Sequence, residues 1–481
     1  MEASLPISAG AERTVARPAA APASLATPAA SVSLPLRFMM TGLLALMAGV
    51  IWLTVQPTVL SLYHYHQNVI AVTHLFVLGW ITTVVMGAMY QLVPVALETK
   101  LYSERLAKWQ FVLHVIGFAG MVWMFREWNM KQVGHFGSVL AFGVLLFIYN
   151  IVRTLLRVPR WTVVAGAVSA ALAWIGLTVV LGLLMATLKT GLETETTSHS
   201  AVVAFMQRLR AAANTLSHFG AISTMHAHAH LGVVGFFTML IVGVSYKLVP
   251  MFTLSEVQSR RRAALSIVLL NLGLAGSAVT ILKNSPWRIA FGGVLVAALA
   301  VFGWEIRAIL RARKRRALDW GLRHFLTALA MLIPTSVLGV ILAWPGLPLT
   351  QRTGQLENVY GYLGIVGFVS LAIIGMLYKI IPFLVWFGTY SRHIGRARVP
   401  ALADMYSPRL QVWSYWTFLS GLLVTSLATF WASNAMIRAG GALVLCSVFL
   451  FAVNVGLILR HYFRPQLAPL AAPKTVQKAV T

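Results

Sequence analysis

Residues 74–94 read HLFVLGWITTVVMGAMYQLVP, residues 230–250 read HLGVVGFFTMLIVGVSYKLVP, and residues 362–382 read YLGIVGFVSLAIIGMLYKIIP. Aligned without a gap, the three segments share one frame. His74, His230 or Tyr362 comes first, then Gly79, Gly235 or Gly367, then Gly87, Gly243 or Gly375, then Tyr90, Tyr246 or Tyr378, and finally Pro94, Pro250 or Pro382. Glycine lets membrane helices approach one another and proline commonly ends a helix, so a single copy has a plain structural reading. Three copies in one register make an internal repeat, and the repeat sets the architecture.

The rest of the chain is equally apolar. Of 481 residues, 58% are hydrophobic and 10% charged, with a mean hydropathy of +0.78. A soluble domain carries roughly 25% charged residues, so this composition excludes an ordinary soluble globule. The formal charge is +26, but Lys and Arg sit between long apolar runs rather than on a hydrated face, which argues against a nucleic-acid binder. Cys446 stands alone, so the chain has no disulfide framework, no Cys-x-x-Cys-His haem attachment and no paired-thiolate copper or iron–sulfur site.

Residues 1–35, rich in Ala, Pro and Ser, read as a disordered leader. The apolar stretch after them is too long for a signal-peptide core and is taken as a retained span. A spanning helix needs about 20 mostly apolar residues. Twelve stretches qualify, at about 36–57, 67–95, 107–125, 133–157, 162–188, 220–249, 263–282, 287–310, 321–344, 357–386, 411–431 and 436–461. The three repeats fall on the second, sixth and tenth. The expected fold class is therefore all-α: a polytopic membrane protein of twelve transmembrane helices in three pseudo-threefold four-helix units, about 36–157, 162–310 and 321–461, within a membrane domain of 36–461 followed by a cytoplasmic tail at 462–481.

Of the 38 basic residues, 29 belong to the termini and the loops after even-numbered spans, against 9 on the other side. By the positive-inside rule both termini are cytoplasmic and the second, sixth and tenth spans run inward. One long outer connection, at about 189–219, has room for a short surface helix. Twenty residues upstream of an inner-end proline is about 30 Å, so His74, His230 and Tyr362 lie near the outer edge of the bilayer. An imidazole there is costly unless it is paired or ligating, and neutral imidazole is an axial ligand of haem iron.

His74 and His230, on neighbouring spans, are thus placed to clamp one iron as a bis-histidine haem b. The structural alternative is a pair of histidines hydrogen-bonding between helices, each contributing about 0.6 kcal/mol. His226 shares a face with His230, whereas His228 points about 200° away, to a second haem or, with His226, to another metal. Copper is the further candidate cofactor, imidazole suiting copper, iron and zinc alike. His64, His66 and His218 lie on the same outer side and could form a copper or haem-propionate site, but for these and for His135 and His199 an ordinary interfacial role is the better reading. Tyr360 and Tyr362 read as lost ligation, while Glu357 and Asn358 read as markers of the interface. His114 reads as structural. Acidic residues lie almost wholly in loops, Glu305 being nearest to an exception, which argues against proton pumping.

His228-Ala-His230 followed by Gly235-Phe236 and Tyr246-Lys-Leu-Val-Pro250 resembles the tenth helix of subunit I in the haem-copper oxidase superfamily, as does His74 followed by Gly79-Trp80 and Tyr90-Gln-Leu-Val-Pro94. The closest flavour is the cbb-type cytochrome oxidases and nitric oxide reductase large subunits, and the NnrS-type haem-copper membrane proteins are similar too. Twelve helices in three units of four match that superfamily throughout the membrane region. The resemblance implies a haem ligand at His74. It also implies that the tenth span should carry His-x-His, where this chain has Tyr360-Gly-Tyr362, and that the sixth should supply a copper ligand. The superfamily's adjacent histidine pair on the seventh span has no counterpart, since 263–282 contains no His. An intact oxygen-reducing centre is not expected.

The repeat and the resemblance together lead to the expectation of a haem b protein of the bacterial inner membrane, a divergent relative of that superfamily, that carries electrons, or handles nitric oxide or a metal, at the outer face. Its expected partners are lipid and a c-type cytochrome or other redox subunits. Two alternatives stay open. One is an active terminal oxidase or nitric oxide reductase subunit. The other is a non-redox transporter or metal-handling protein, disfavoured because the repeats are parallel rather than inverted.

Overall fold

The structure, a computed structural model, describes residues 32–189 and 201–469. His199, nearly all of the leader and most of the C-terminal tail lie outside the described residues. Twelve long helices traverse the molecule: α1 (Ser33–Val55), α2 (Gln67–Ala96), α3 (Glu104–Arg126), α4 (Met130–Leu155), α5 (Val163–Lys189), α6 (Ala221–Thr253), α7 (Arg260–Leu282), α8 (Arg288–Arg311), α9 (Trp320–Leu342), α10 (Gln351–His393), α11 (Pro408–Phe430) and α12 (Asn434–Phe463). Eleven are long and apolar enough to cross a membrane. The remaining one, α11, has the length for a span at 23 residues, but Ser, Thr, Trp and Tyr dilute its hydropathy. A further helix, Ala201–Leu216, lies in the connection after α5 and packs on α5.

Neighbour relations repeat with the sequence. α1 packs on α2, α5 on α6 and α9 on α10, while α3 packs on α4, α7 on α8 and α11 on α12. Units join where α4 meets α5 and α8 meets α9, and α12 returns to α1 to close the ring. The most apolar windows of α2, α6 and α10 are 56, 72 and 83% buried, against at most 50% in any other candidate span. The repeat-bearing helices are therefore the inner ring, and the others face outward.

A local distortion recurs in all three. Directly after His74, His230 and Tyr362, the helix widens to a π segment: Leu75–Thr82, Leu231–Thr238 and Leu363–Ser370. The last residue of each segment closes it with its hydroxyl. Thr82 Oγ1 donates to the Val77 carbonyl (2.6 Å), Thr238 Oγ1 to Val233 (2.9 Å) and Ser370 Oγ to Ile365 (2.8 Å), each five residues back. π segments are rare and concentrate at functional sites. Here the widened turn begins at the residue singled out as a ligand position.

The repeated glycines are contact points, in agreement with their plain reading. Gly375 meets α9 backbone to backbone: a Cβ on it would lie 2.6 Å from the Gly321 carbonyl oxygen and 2.8 Å from the Phe325 nitrogen. The prolines differ from that reading, because the helix runs on past each of them, in α10 as far as Tyr390. Glu305 also has a settled role. Its buried carboxylate accepts from the backbone of Gln258 (2.6 Å) and Ser259 (2.9 Å) and from Arg262 Nε (2.7 Å), tying α8 to the start of α7. This is a cap and an ion pair, with both oxygens engaged.

Forcing a side chain into the α9–α10 contact must push the helix backbones apart. Gly375→Val is expected to destabilise the protein by about 1–3 kcal/mol, read as a lowered thermal unfolding midpoint in detergent. Gly292→Ala, whose added methyl meets nothing within 4 Å, should leave the midpoint unchanged.

Candidate functional site

The three π segments begin at one end of the bundle, and the histidines of α2 and α6 gather there. At this end each ligand-position imidazole is fixed by its own helix. His74 Nδ1 lies 2.8 Å from the Ile70 carbonyl, and His230 Nδ1 lies 2.8 Å from the His226 carbonyl. A nitrogen facing a carbonyl must carry the proton, so Nδ1–H donates and Nε2 keeps its lone pair. This is the tautomer and orientation that a metal-ligating histidine needs.

The partners of these two rings differ. His74 lies parallel to His228 across the first unit's boundary with the second, with ring centroids 6.4 Å apart and planes inclined by 24°. His230 lies parallel to Tyr360 across the next boundary, with centroids 6.2 Å apart and planes at 28°. The spacing is the same in both pairs, and the chemistry is not. The Tyr360 hydroxyl lies 3.3 Å from His230 Nε2 and, given the tautomer, donates to it. His228 has no bond to His74; its ring lies against the Thr178 backbone of α5, and its Nδ1 is buried without a well-aligned hydrogen bond. The structure thus brings His74 to His228, and not to His230 as the sequence argument pairs them.

Both second members rest on a glycine of the preceding helix. His228 lies over Gly182 of α5, where a Cβ would be 3.0 Å from Cε1 of the ring, and Tyr360 lies over Gly339 of α9, where a Cβ would be 3.3 Å from Cε2. Tyr362 is buried and lines a small cavity with Phe76, Val366 and Thr425. His74 is flanked on its other side by Phe125 of α3, ring centroids 4.7 Å apart.

These separations bear on whether one metal ion could lie between two rings. An imidazole nitrogen sits about 2.0–2.1 Å from a transition metal, so two imidazoles on opposite sides of one ion hold their ring centres roughly 6 Å apart. His74 and His228 have that spacing, with no bond between them. His230 and Tyr360 have it too, but their polar atoms already bond to each other.

His226 points elsewhere. Its Nε2 is 3.3 Å from Nε2 of His64, a residue in the connection between α1 and α2, and His64 Nδ1 is 2.7 Å from Glu357 Oε2 on α10. One donor atom from each of the three side chains falls within 4.8 Å of the others. Beside them the Tyr63 ring packs on His64, centroids 4.3 Å apart, and burial together with the Glu357 charge pushes the Tyr63 hydroxyl above its usual range. Glu357 is the member that sequence reasoning takes only for an interface marker. Its position three residues before Tyr360, on the same face of α10, is the available signal.

The remaining histidines have other surroundings. His66 accepts from Asn68 N (3.2 Å) and caps α2, while His135 and His218 are exposed. His114 is buried, its Nε2 2.9 Å from Thr83 Oγ1, against the π segment of α2.

Residues 25–130 match the family described as Cytochrome C and Quinol oxidase polypeptide I. The match covers α1, α2 and α3, and so the first copy of the repeat with His74 and its π segment. Over that stretch the chain is similar to this family, and its eleven long apolar helices make it a multi-pass membrane protein.

Proposed function

We propose that the whole chain is a divergent haem-copper oxidase subunit I relative that binds haem b between His74 and His228 and serves electron transfer, or nitric oxide or metal-related redox chemistry, at the outer face of a bacterial inner membrane. The observation that carries this reading is the parallel His74–His228 pair at 6.4 Å, with the His74 tautomer held by Ile70. Bound haem supplies a one-electron iron couple. The protein's own role is to fix the two imidazoles from different units, to keep water away with Phe125 and α5, and to hold the pair at one end of the bundle. The excess of basic residues on the opposite side supports placing this end outward.

An oxygen-reducing centre is disfavoured by the residues themselves. α7 offers no histidine pair, and the nitrogen of His230 that would face a second iron already accepts from Tyr360. A c-type cytochrome or another redox subunit remains the partner that the resemblance suggests.

The purified protein should show a reduced-minus-oxidised b-type spectrum and yield haem b on pyridine extraction; a colourless preparation without extractable haem sinks the proposal. His74→Ala and His228→Ala should each abolish the low-spin signal, whereas His230→Ala and His135→Ala should retain it. Loss with His230→Ala and retention with His228→Ala would instead restore the pairing read from the sequence.

Gly182→Leu offers a second, geometric check. A side chain there must displace the His228 ring, so haem content is expected to fall at least tenfold in a protein that still unfolds cooperatively (about 1.4 kcal/mol per tenfold). Full haem occupancy in Gly182→Leu would show that His228 does not need its seat on α5.

A further inference from the structure

At the same end of the bundle, separate from the His74–His228 pair, we propose that His64, His226 and Glu357 bind one divalent transition-metal ion of the zinc and copper class. The three side chains come from three different units, and their donor atoms converge within 4.8 Å. The 3.3 Å between His64 Nε2 and His226 Nε2 is about the separation of two nitrogens bonded at ~2.0–2.1 Å to a single tetrahedral ion. Glu357 Oε2 pairs with His64 Nδ1 at 2.7 Å, which leaves His64 Nε2 turned to His226 Nε2.

The site is built rather than incidental. His64 sits in a short connection that α10 rivets in place. Gln355 Nε2 donates to the Ser61 carbonyl (3.0 Å), and Asn358 Nδ2 donates to the carbonyls of Leu60 (3.0 Å) and Leu62 (2.7 Å). These bonds flank Glu357 in sequence and press it against His64. His226 is held through its backbone, whose carbonyl takes the His230 ring proton. His64 and Glu357 side chains are only 12% and 23% exposed, so the donors are largely removed from competing water while remaining reachable from the bundle end.

Two imidazoles and one carboxylate form a borderline-soft N2O donor set, which suits Zn2+ and Cu2+ and leaves a fourth position open to water or a small ligand. Calcium and magnesium prefer all-oxygen shells and fit it poorly. This donor set is also distinct from a copper site completed by a histidine pair on α7, which this chain lacks.

The full chain in detergent, stripped with a chelator and then equilibrated with Zn2+ or Cu2+, should bind one ion per chain by elemental analysis. Competition against a chromophoric chelator gives the affinity. Outer-shell ligand partners alone cost 10–100-fold when removed, so Glu357→Gln, His64→Ala and His226→Ala should each weaken binding by about 100-fold or more. His66→Ala and His218→Ala should leave it unchanged. Should an alanine variant fail to fold, Glu357→Gln keeps the shape of the side chain. Nitrogen couplings in the Cu2+ electron paramagnetic resonance spectrum provide a separate reading: two nitrogens are expected in the parent protein and one in His64→Ala. Absence of a stoichiometric ion, or affinity indifferent to Glu357→Gln and His226→Ala, overturns the inference. Haem is measured in the same samples: His74→Ala should lose haem and keep the ion, so failure of either reading is seen independently of the other.

Discussion

Every carbonyl inside a bilayer must find a donor within the protein, and the π segments of α2, α6 and α10 satisfy that demand with a side-chain hydroxyl. A π turn displaces the backbone register, and each hydroxyl reaches the carbonyl five residues behind it. Because Thr82, Thr238 and Ser370 occupy one repeat position, the three inner helices take one shape. That shared shape carries the rest of the arrangement. It fixes the rotation between the ligand position at one end and the Gly, Tyr and Pro positions at the other, so three units can close into a ring with matching contacts. Ser370 also accepts from Trp80 Nε1 at 3.0 Å, so a residue that closes the turn in the third unit binds the first.

A common frame filled with different donors gives unequal boundaries. Between the first and second units, two imidazoles face each other with no bond between them, whereas between the second and third an imidazole faces a phenol that donates to it. The frame sets the spacing, and the side chain decides whether the gap is filled from within. A tyrosine in place of histidine is thus more than a ligand lost. Its hydroxyl satisfies His230 Nε2, which would otherwise be an unpartnered polar atom in an apolar interior.

Much of this is legible in the sequence. Hydropathy marks eleven of the long helices as spans; α11 has the length of one, but its Trp, Tyr, Ser and Thr lower its apolar signal. The repeat marks the inner ring because those helices pack on both sides and cannot vary freely. The cross-helix pairing is not legible. Inferring it requires the rotation of α6 relative to α2, and an ideal pitch of 3.6 residues per turn fails where a π segment intervenes. Sequence reasoning therefore assigns His74 to His230, two residues from the ring it faces. Glu357 and His64 read as interfacial because their partners lie hundreds of residues away or across a connection, where periodicity carries no information. The hydroxyls at 82, 238 and 370 are visible in the alignment of the copies, but only the structure supplies the carbonyls they bond.

The His64–His226–Glu357 cluster and the His230–Tyr360 pair are mechanically joined. Glu357 contacts His64, His64 contacts His226, the His226 carbonyl holds the His230 ring, and His230 accepts from Tyr360, three residues beyond Glu357 on α10. The chain of contacts leaves α10 and returns to it, crossing α6 by way of positions 226 and 230, which share one face. A closed polar circuit in an apolar setting resists local slippage, since breaking any member leaves a buried donor or acceptor unpaired at about 1–3 kcal/mol. An ion held by the first three residues would therefore act on His230 through a single carbonyl. His74 and His228 stand outside that circuit, free of direct bonds to it, which is the condition under which an iron between them could change charge without disturbing the bonds that hold α6 to α10.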